Sequence, residues 1–195
     1  MKRAGLILLA FWAAGAGAAE RPVIAAKSEI GFTVKQMGVA VSGTFKRYTA
    51  KISLDPAKPE SASAEIEVEI ASISTGTDEG DQTAIDKPWL DAADFPRAKF
   101  KSSTVRALGG DKYEVKGALT IRGKPRDATV PLTLKTGADG VTLATGEFGV
   151  RRTDFGIGGG EWNEGDLVAN DVPVHFRFAL GAAPSPATKQ TKEHP

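Results

Sequence analysis

The stretch Glu65-Ile66-Glu67-Val68-Glu69-Ile70 decides how this chain is to be read. Three apolar residues alternate with three glutamates, a period of two that suits an extended strand with one dry face and one wet face. The same alternation recurs on both sides of it. Upstream, Ile30, Phe32 and Val34 alternate with Glu29, Gly31, Thr33 and Lys35, followed by Val39, Val41, Gly43 and Phe45, and then by Ile52 and Leu54. Downstream come Tyr113 with Val115, Leu119 with Ile121, Val130 with Leu132 and Leu134, Val141 with Leu143, and the run Val172, Val174, Phe176, Phe178 and Leu180. Asp55-Pro56, Gly109-Gly110, Gly123-Lys124-Pro125 and Asp139-Gly140 punctuate these runs as turns. About eight strands at this spacing predict an all-β antiparallel sandwich or barrel, not alternating β-α-β units. One stretch departs from the period: residues 81–94 carry Ile85, Trp89 and Leu90 on one helical face, with Pro96 beyond, and predict a short helical insertion.

The two ends of the chain read differently from its body. Lys2 and Arg3 precede an uncharged run over residues 6–14, and small residues follow to Ala19, the three-part pattern of a secretory signal peptide. The apolar run is shorter than the roughly 20 residues that span a bilayer. Residues 1–19 are therefore expected to be removed, with export to the periplasm. Loss of Lys2 and Arg3 from the 25 basic residues leaves 23 against 24 acidic ones, a formal charge of −1. A chain so nearly neutral offers no basic stripe for nucleic acid and no polybasic patch for anionic lipid. Residues 181–195 are mainly Ala, Pro, Ser, Thr and Lys with little to bury, and predict a disordered tail. What remains, residues 20–180, is one domain of the 195-residue chain.

Composition removes much enzyme chemistry. With no cysteine there is no disulfide, thiolate nucleophile, zinc–thiolate site or iron–sulfur cluster. Only His175 and His194 are present, and strand parity turns His175 away from the apolar face. Neither sits in a nucleophile–base pattern. Asp154-Phe155-Gly156 spells a kinase magnesium motif but has no catalytic or phosphate loop to accompany it. Gly117 and Gly123-Lys124 miss the phosphate-loop spacing, and the glycines from Gly156 to Gly160 miss the dinucleotide spacing. The carboxylates of Asp78, Glu79, Asp81 and Asp86 lack an EF-hand's order and read as a solvated acidic loop. No catalytic residue, metal site or cofactor is expected.

An eight-stranded barrel can be filled by its own side chains or can hold one small ligand. An inward face of Phe, Ile, Val and Leu suits an apolar guest, at about 0.8 kcal/mol for each buried methylene. Periodicity cannot separate a lumen from a filled core.

An ordered set of segments adds to this reading. They are Ser28-Glu29-Ile30-Gly31-Phe32-Thr33-Val34, Val41-Ser42-Gly43-Thr44-Phe45, Ala71-Ser72-Ile73-Ser74-Thr75-Gly76, the run from Trp89-Leu90-Asp91 to Ala98-Lys99-Phe100, Gly117-Ala118-Leu119-Thr120-Ile121-Arg122-Gly123 and Arg152-Thr153-Asp154-Phe155-Gly156. Together they cover nearly all of residues 22–180, and in this order the chain resembles the YceI-like lipid/polyisoprenoid-binding family. The resemblance implies an extended lipocalin-like antiparallel β-barrel with a helical insertion near residues 82–94, an isoprenoid chain in its tunnel, and binding in place of catalysis. Parity and that architecture together nominate an apolar tunnel of Phe32, Val34, Phe45, Ile66, Val68, Ile70, Trp89, Phe100, Leu119, Ile121, Phe148 and Phe155. One segment departs: family members often carry an Arg-Asp pair after the Ser-Ile motif, where this chain reads Thr77-Asp78-Glu79-Gly80-Asp81.

The expected function is a periplasmic binding or carrier protein for a polyisoprenoid lipid, a quinone or a prenyl chain. Two alternatives stand beside it: a filled-barrel stress-response or interaction module, and a small outer-membrane barrel. The last should carry two aromatic girdles, whereas residues 20–195 hold only two tryptophans, Trp89 and Trp162. The expected partner is thus a lipid, with no nucleic acid and no stable membrane insertion, and a homodimer is left open.

Overall fold

The computed structural model describes residues 18–55, 58–162 and 167–182, so most of the expected leader and of the expected C-terminal tail lies outside the described residues. Eleven strands are found among them: β1 (Glu20–Arg21), β2 (Glu29–Gln36), β3 (Val39–Phe45), β4 (Tyr48–Ser53), β5 (Ser63–Glu69), β6 (Ile73–Ser74), β7 (Arg97–Gly109), β8 (Lys112–Ile121), β9 (Lys124–Thr136), β10 (Thr142–Arg151) and β11 (Asp171–Leu180). They form one sheet in the order β1-β4-β5-β7-β8-β9-β10-β11-β2-β3-β6. Every pairing is antiparallel. Pairing of β11 with β2 brings the last strand against the first long one and curls the sheet into a lipocalin-like barrel.

The all-β antiparallel class is as expected, and the expected count of about eight strands is corrected to eleven. β1 and β6 are two residues each, too short to show a period. β7 was unread because Lys99 and Lys101 flank Phe100 and dominate its composition. Conversely, Tyr113, Val115, Leu119 and Ile121, read as two runs, belong to the single strand β8. Val141 and Leu143 mark the wrong face of their strand: Leu143 is exposed, while Thr142 and Ala144 are buried.

Local chemistry explains the tight corners. Met37-Gly38 joins β2 to β3 and Arg122-Gly123 joins β8 to β9, with φ of 48° and 80°, and of 48° and 69°. Positive φ at both positions is the two-residue hairpin turn that matches strand twist. Met37 and Arg122 take that conformation at about 1 kcal/mol each.

The helical insertion is α1 (Asp78–Ile85), shorter and earlier than the expected 81–94. Thr77 caps it, its Oγ1 accepting from the Gly80 N–H at 3.1 Å. Asp86 ends it in extended backbone, two residues before Pro88. Asp81 faces back along the chain, its Oδ1 accepting from the Thr75 N–H at 2.5 Å and the Thr75 hydroxyl at 2.8 Å. Those two hydrogen bonds, the backbone one foremost, hold the Asp81 carboxyl below its ordinary pKa.

Two clasps close the sheet where strand pairing stops. At one, the N-terminal segment lies between β4 and β11: Arg21 pairs with Ile52, while the Gly181 N–H reaches Pro22 O and the Ile24 N–H reaches Ala179 O, both at 2.8 Å. Arg21 is 5% exposed. Its guanidinium donates to Gly181 O (2.7 Å), Thr142 Oγ1 (2.8 Å) and Gly140 O (3.1 Å), and burial pulls its pKa down. At the other, the buried Ser72 hydroxyl donates to Glu69 O (2.7 Å) and accepts from the Arg47 N–H (3.0 Å), fixing the β3–β4 corner.

Candidate ligand cavity

The alternation of β5 acquires its meaning beside β7. Ile66 lies opposite Phe100 and Val68 opposite Ala98, all facing inward. Glu65 and Glu67 face outward and pair with Lys101 (2.7 Å), Lys99 (3.0 Å) and Arg97 (2.8 Å). Hydrogen bonds from these cations lower the pKa of Glu65 and Glu67. The wet face is thus an ion-pair ladder and the dry face is one wall of a cavity of about 210 Å³. That exceeds the roughly 150 Å³ of an apolar protein cavity able to hold benzene. Strands β2 to β5 and β7 to β11 all contribute side chains to its wall. Lys99 lies in that wall, yet its Nζ points out to Glu67.

Eight of the twelve nominated residues line this cavity: Phe45, Ile66, Val68, Ile70, Phe100, Leu119, Ile121 and Phe148. Four do not. The Phe32 ring packs 5.7 Å from that of Phe45, on the inner face but outside the cavity wall. Val34 is half-buried further along β2. Trp89 stacks 5.8 Å from Trp162. Phe155, 3% exposed, is enclosed in the 3-10 turn that follows β10.

Other wall residues went unnominated although their signal was present. Val130, Leu132, Leu134, Val174, Phe176, Phe178 and Leu180 alternate visibly in sequence and all line the cavity. Val105 could not be found by parity. A bulge between Ser102 and Thr104 moves the inward face of β7 from even to odd positions, so Phe100 and Val105 both face in.

The lumen stays open because aromatic rings lie against glycines. Gly43 is paired with Phe32 and Gly146 with Phe176. A Cβ on Gly43 would come within 2.4 Å of Phe32 Cζ, and one on Gly146 within 2.6 Å of Phe176 Cζ. Absence of a methyl at Gly146 lets the Phe176 ring lie along the cavity wall, and Gly43 gives Phe32 the same close approach beyond that wall.

Arginines organise the segments at one end. Arg122 donates to Gly156 O, to Lys87 O (3.2 Å) and to Asp91 Oδ2 (3.4 Å), beside Leu90, which reaches into the cavity wall. Arg152, 2% exposed, donates to five carbonyls: Ala169 O (3.2 Å), Ile157 O (2.9 Å), Gly158 O (2.8 Å), Val168 O (2.8 Å) and Trp162 O. Desolvation lowers its pKa. Among the described residues no three His, Asp or Glu side chains converge as a metal-binding group. His175 is on the outer face, its Nε2 lying 3.9 Å from Glu29 Oε1.

A sequence model of the YceI-like domain matches residues 22–180. The chain belongs to the YceI-like family. This YceI-like barrel superposes on the crystal structure of Burkholderia cenocepacia BcnA with a TM-score of 0.78 and 35% identity, over 81% of this chain and 99% of that one. A polyisoprenoid binding domain from Saccharophagus degradans, implicated in plant cell wall breakdown, shares the fold at TM-score 0.65 and 18% identity, over 86% of this chain and 99% of its own. A UPF0312 protein of Pseudomonas savastanoi pv. phaseolicola is 34% identical over 112 residues, 57% of this chain and 56% of that relative. The chain therefore spans just over half the length of such relatives. Residues 77–81, the segment that departs from the resemblance, cap and anchor α1.

Proposed function

We propose that this YceI-like protein is a periplasmic binding or carrier protein for a polyisoprenoid lipid, a quinone or a prenyl chain, and performs no catalysis. The observation that carries this reading is the cavity wall, built from aliphatic and aromatic side chains contributed by nine strands. Such a wall recognises a guest by apolar area, about 25 cal/mol for each Å² withdrawn from water. The eight nominated residues in the wall would contact the chain of the guest. The polyisoprenoid binding domain of Saccharophagus degradans, as a neighbour in fold, supports the same ligand class.

The leader-like residues 1–19 support export. The charged ladder on the outer face of β5 and β7 argues against a lipid-facing barrel, whose outer band is apolar. The deciding experiment is mass spectrometry of an organic extract from protein purified without detergent from its own host. A stoichiometric prenyl lipid or quinone is expected. Absence of lipid, together with failure of the delipidated protein to take up long-chain quinones, would overturn the reading and favour an interaction module.

A further inference from the structure

A second cavity, of about 400 Å³, opens at the β3–β4 corner. Phe45 lines both it and the apolar lumen, so the two spaces meet at this residue. Tyr48 spans the same boundary. Its ring packs edge-on against Phe178 of the lumen wall, centroids 5.8 Å apart, and the residue also lines the second cavity beside Ser28. A tyrosine placed with a dry ring and a wet hydroxyl marks the junction between an apolar and a polar environment.

The charges at this cavity are nearly balanced. Arg47 is committed to Glu69, with contacts of 2.9 and 2.6 Å. Among the described residues no carboxylate lies within ion-pair distance of Lys46, and Glu29 meets only His175, at 3.9 Å. Lys46 and Glu29 therefore line the space without a close opposite charge other than His175, together with Tyr48 and Ser28. A diphosphate would meet the Glu29 carboxylate with a single uncommitted cation to offset it. A bare hydrocarbon end would leave these donors and acceptors without partners, which is unfavourable wherever water is displaced.

We propose that this corner cavity receives the head group of the chain held in the lumen, and that this head group is neutral and carries carbonyl or hydroxyl oxygens. The inference rests on the polyisoprenoid reading of the lumen. Tyr48 and Lys46 donate to its oxygens, and Glu29 accepts from any hydroxyl it carries. Burial, the largest influence on Tyr48, raises its phenol pKa and keeps it a donor.

The test titrates the delipidated full chain with three probes of matched prenyl length: a prenyl benzoquinone, a prenyl diphosphate and the hydrocarbon without a head group. Wild type is expected to bind the quinone most tightly. Tyr48→Phe, which keeps the ring on Phe178, and Lys46→Ala should each weaken quinone binding by about three- to tenfold, with hydrocarbon binding unchanged. Equal effects on quinone and hydrocarbon, no effect on either, or tightest binding of the diphosphate would each overturn the head-group site while leaving the lumen reading intact. Failure of all three probes to bind wild type would overturn both.

Discussion

Phe176 lies across from Gly146 on neighbouring strands so closely that no side-chain carbon fits between them, an added Cβ falling 2.6 Å from the ring edge. The Pro131 carbonyl oxygen stands 2.5 Å from the same point, so the backbone side of the contact cannot yield. Gly146→Ala should therefore tip the Phe176 ring into the lumen. A stability loss of about 1–3 kcal/mol is expected, with a fall in the amount of prenyl lipid bound. Thermal denaturation and lipid stoichiometry measured on one preparation check both.

Whether the interior is a lumen or a filled core can be read from a single enlargement. Val115 lines the cavity and is 7% exposed. Val115→Phe should leave the melting temperature of delipidated protein within about 2 °C of wild type, because the ring occupies existing space, while reducing lipid uptake severalfold. In a filled core the same change would cost about 1–3 kcal/mol through overpacking.

Arg152 should be among the most costly polar residues to remove. Arg152→Met strands five carbonyl acceptors, and a loss of at least about 3 kcal/mol is expected. That corresponds to about 6–12 °C in melting temperature for a domain of this size. Arg152→Lys should restore less than half, since one ammonium cannot fan out to acceptors on several sides. Denaturant unfolding of the three proteins side by side tests it.

Asp81 gives stability a defined pH dependence. Its folded pKa is depressed by the Thr75 hydrogen bonds, so its contribution is present above the ordinary carboxylate pKa of about 3.9 and is lost as pH falls through the folded value. Asp81→Asn should be less stable than wild type at pH 7, and the two should converge in acid. Unfolding midpoints across that range would show parallel curves instead if Asp81 had no folded-state partner.

What was legible in the sequence was whatever one strand states by itself. Ile66 and Val68 announce their inward face because glutamates stand between them. His175 was rightly turned outward by the same parity. What depends on a neighbour was not legible. Val105 changes face at a bulge that no local pattern marks. Leu143 was set on the inner face by its hydrophobicity, but the register of β10 with β11 gives that face to Thr142 and Ala144. Trp89 and Phe155 are large and apolar for reasons of their own, one stacking on Trp162 and the other filling a turn. The existence of a lumen was the least legible feature, because it depends on close approaches such as that of Phe176 to Gly146, which appear only when strands are paired.

Among the described residues, the guanidiniums of Arg21 and Arg152 are held by neutral oxygens, carbonyls and one hydroxyl. Mobile ions weaken attraction between exposed opposite charges, within about 10 Å at 0.1 M salt, but they have little purchase on a buried cation among dipoles. Brine should therefore loosen the Glu65–Lys101 and Glu67–Lys99 rungs outside while leaving both arginine anchorages intact. The fold should therefore keep its form as ionic strength rises, because its buried anchorages do not depend on paired charges.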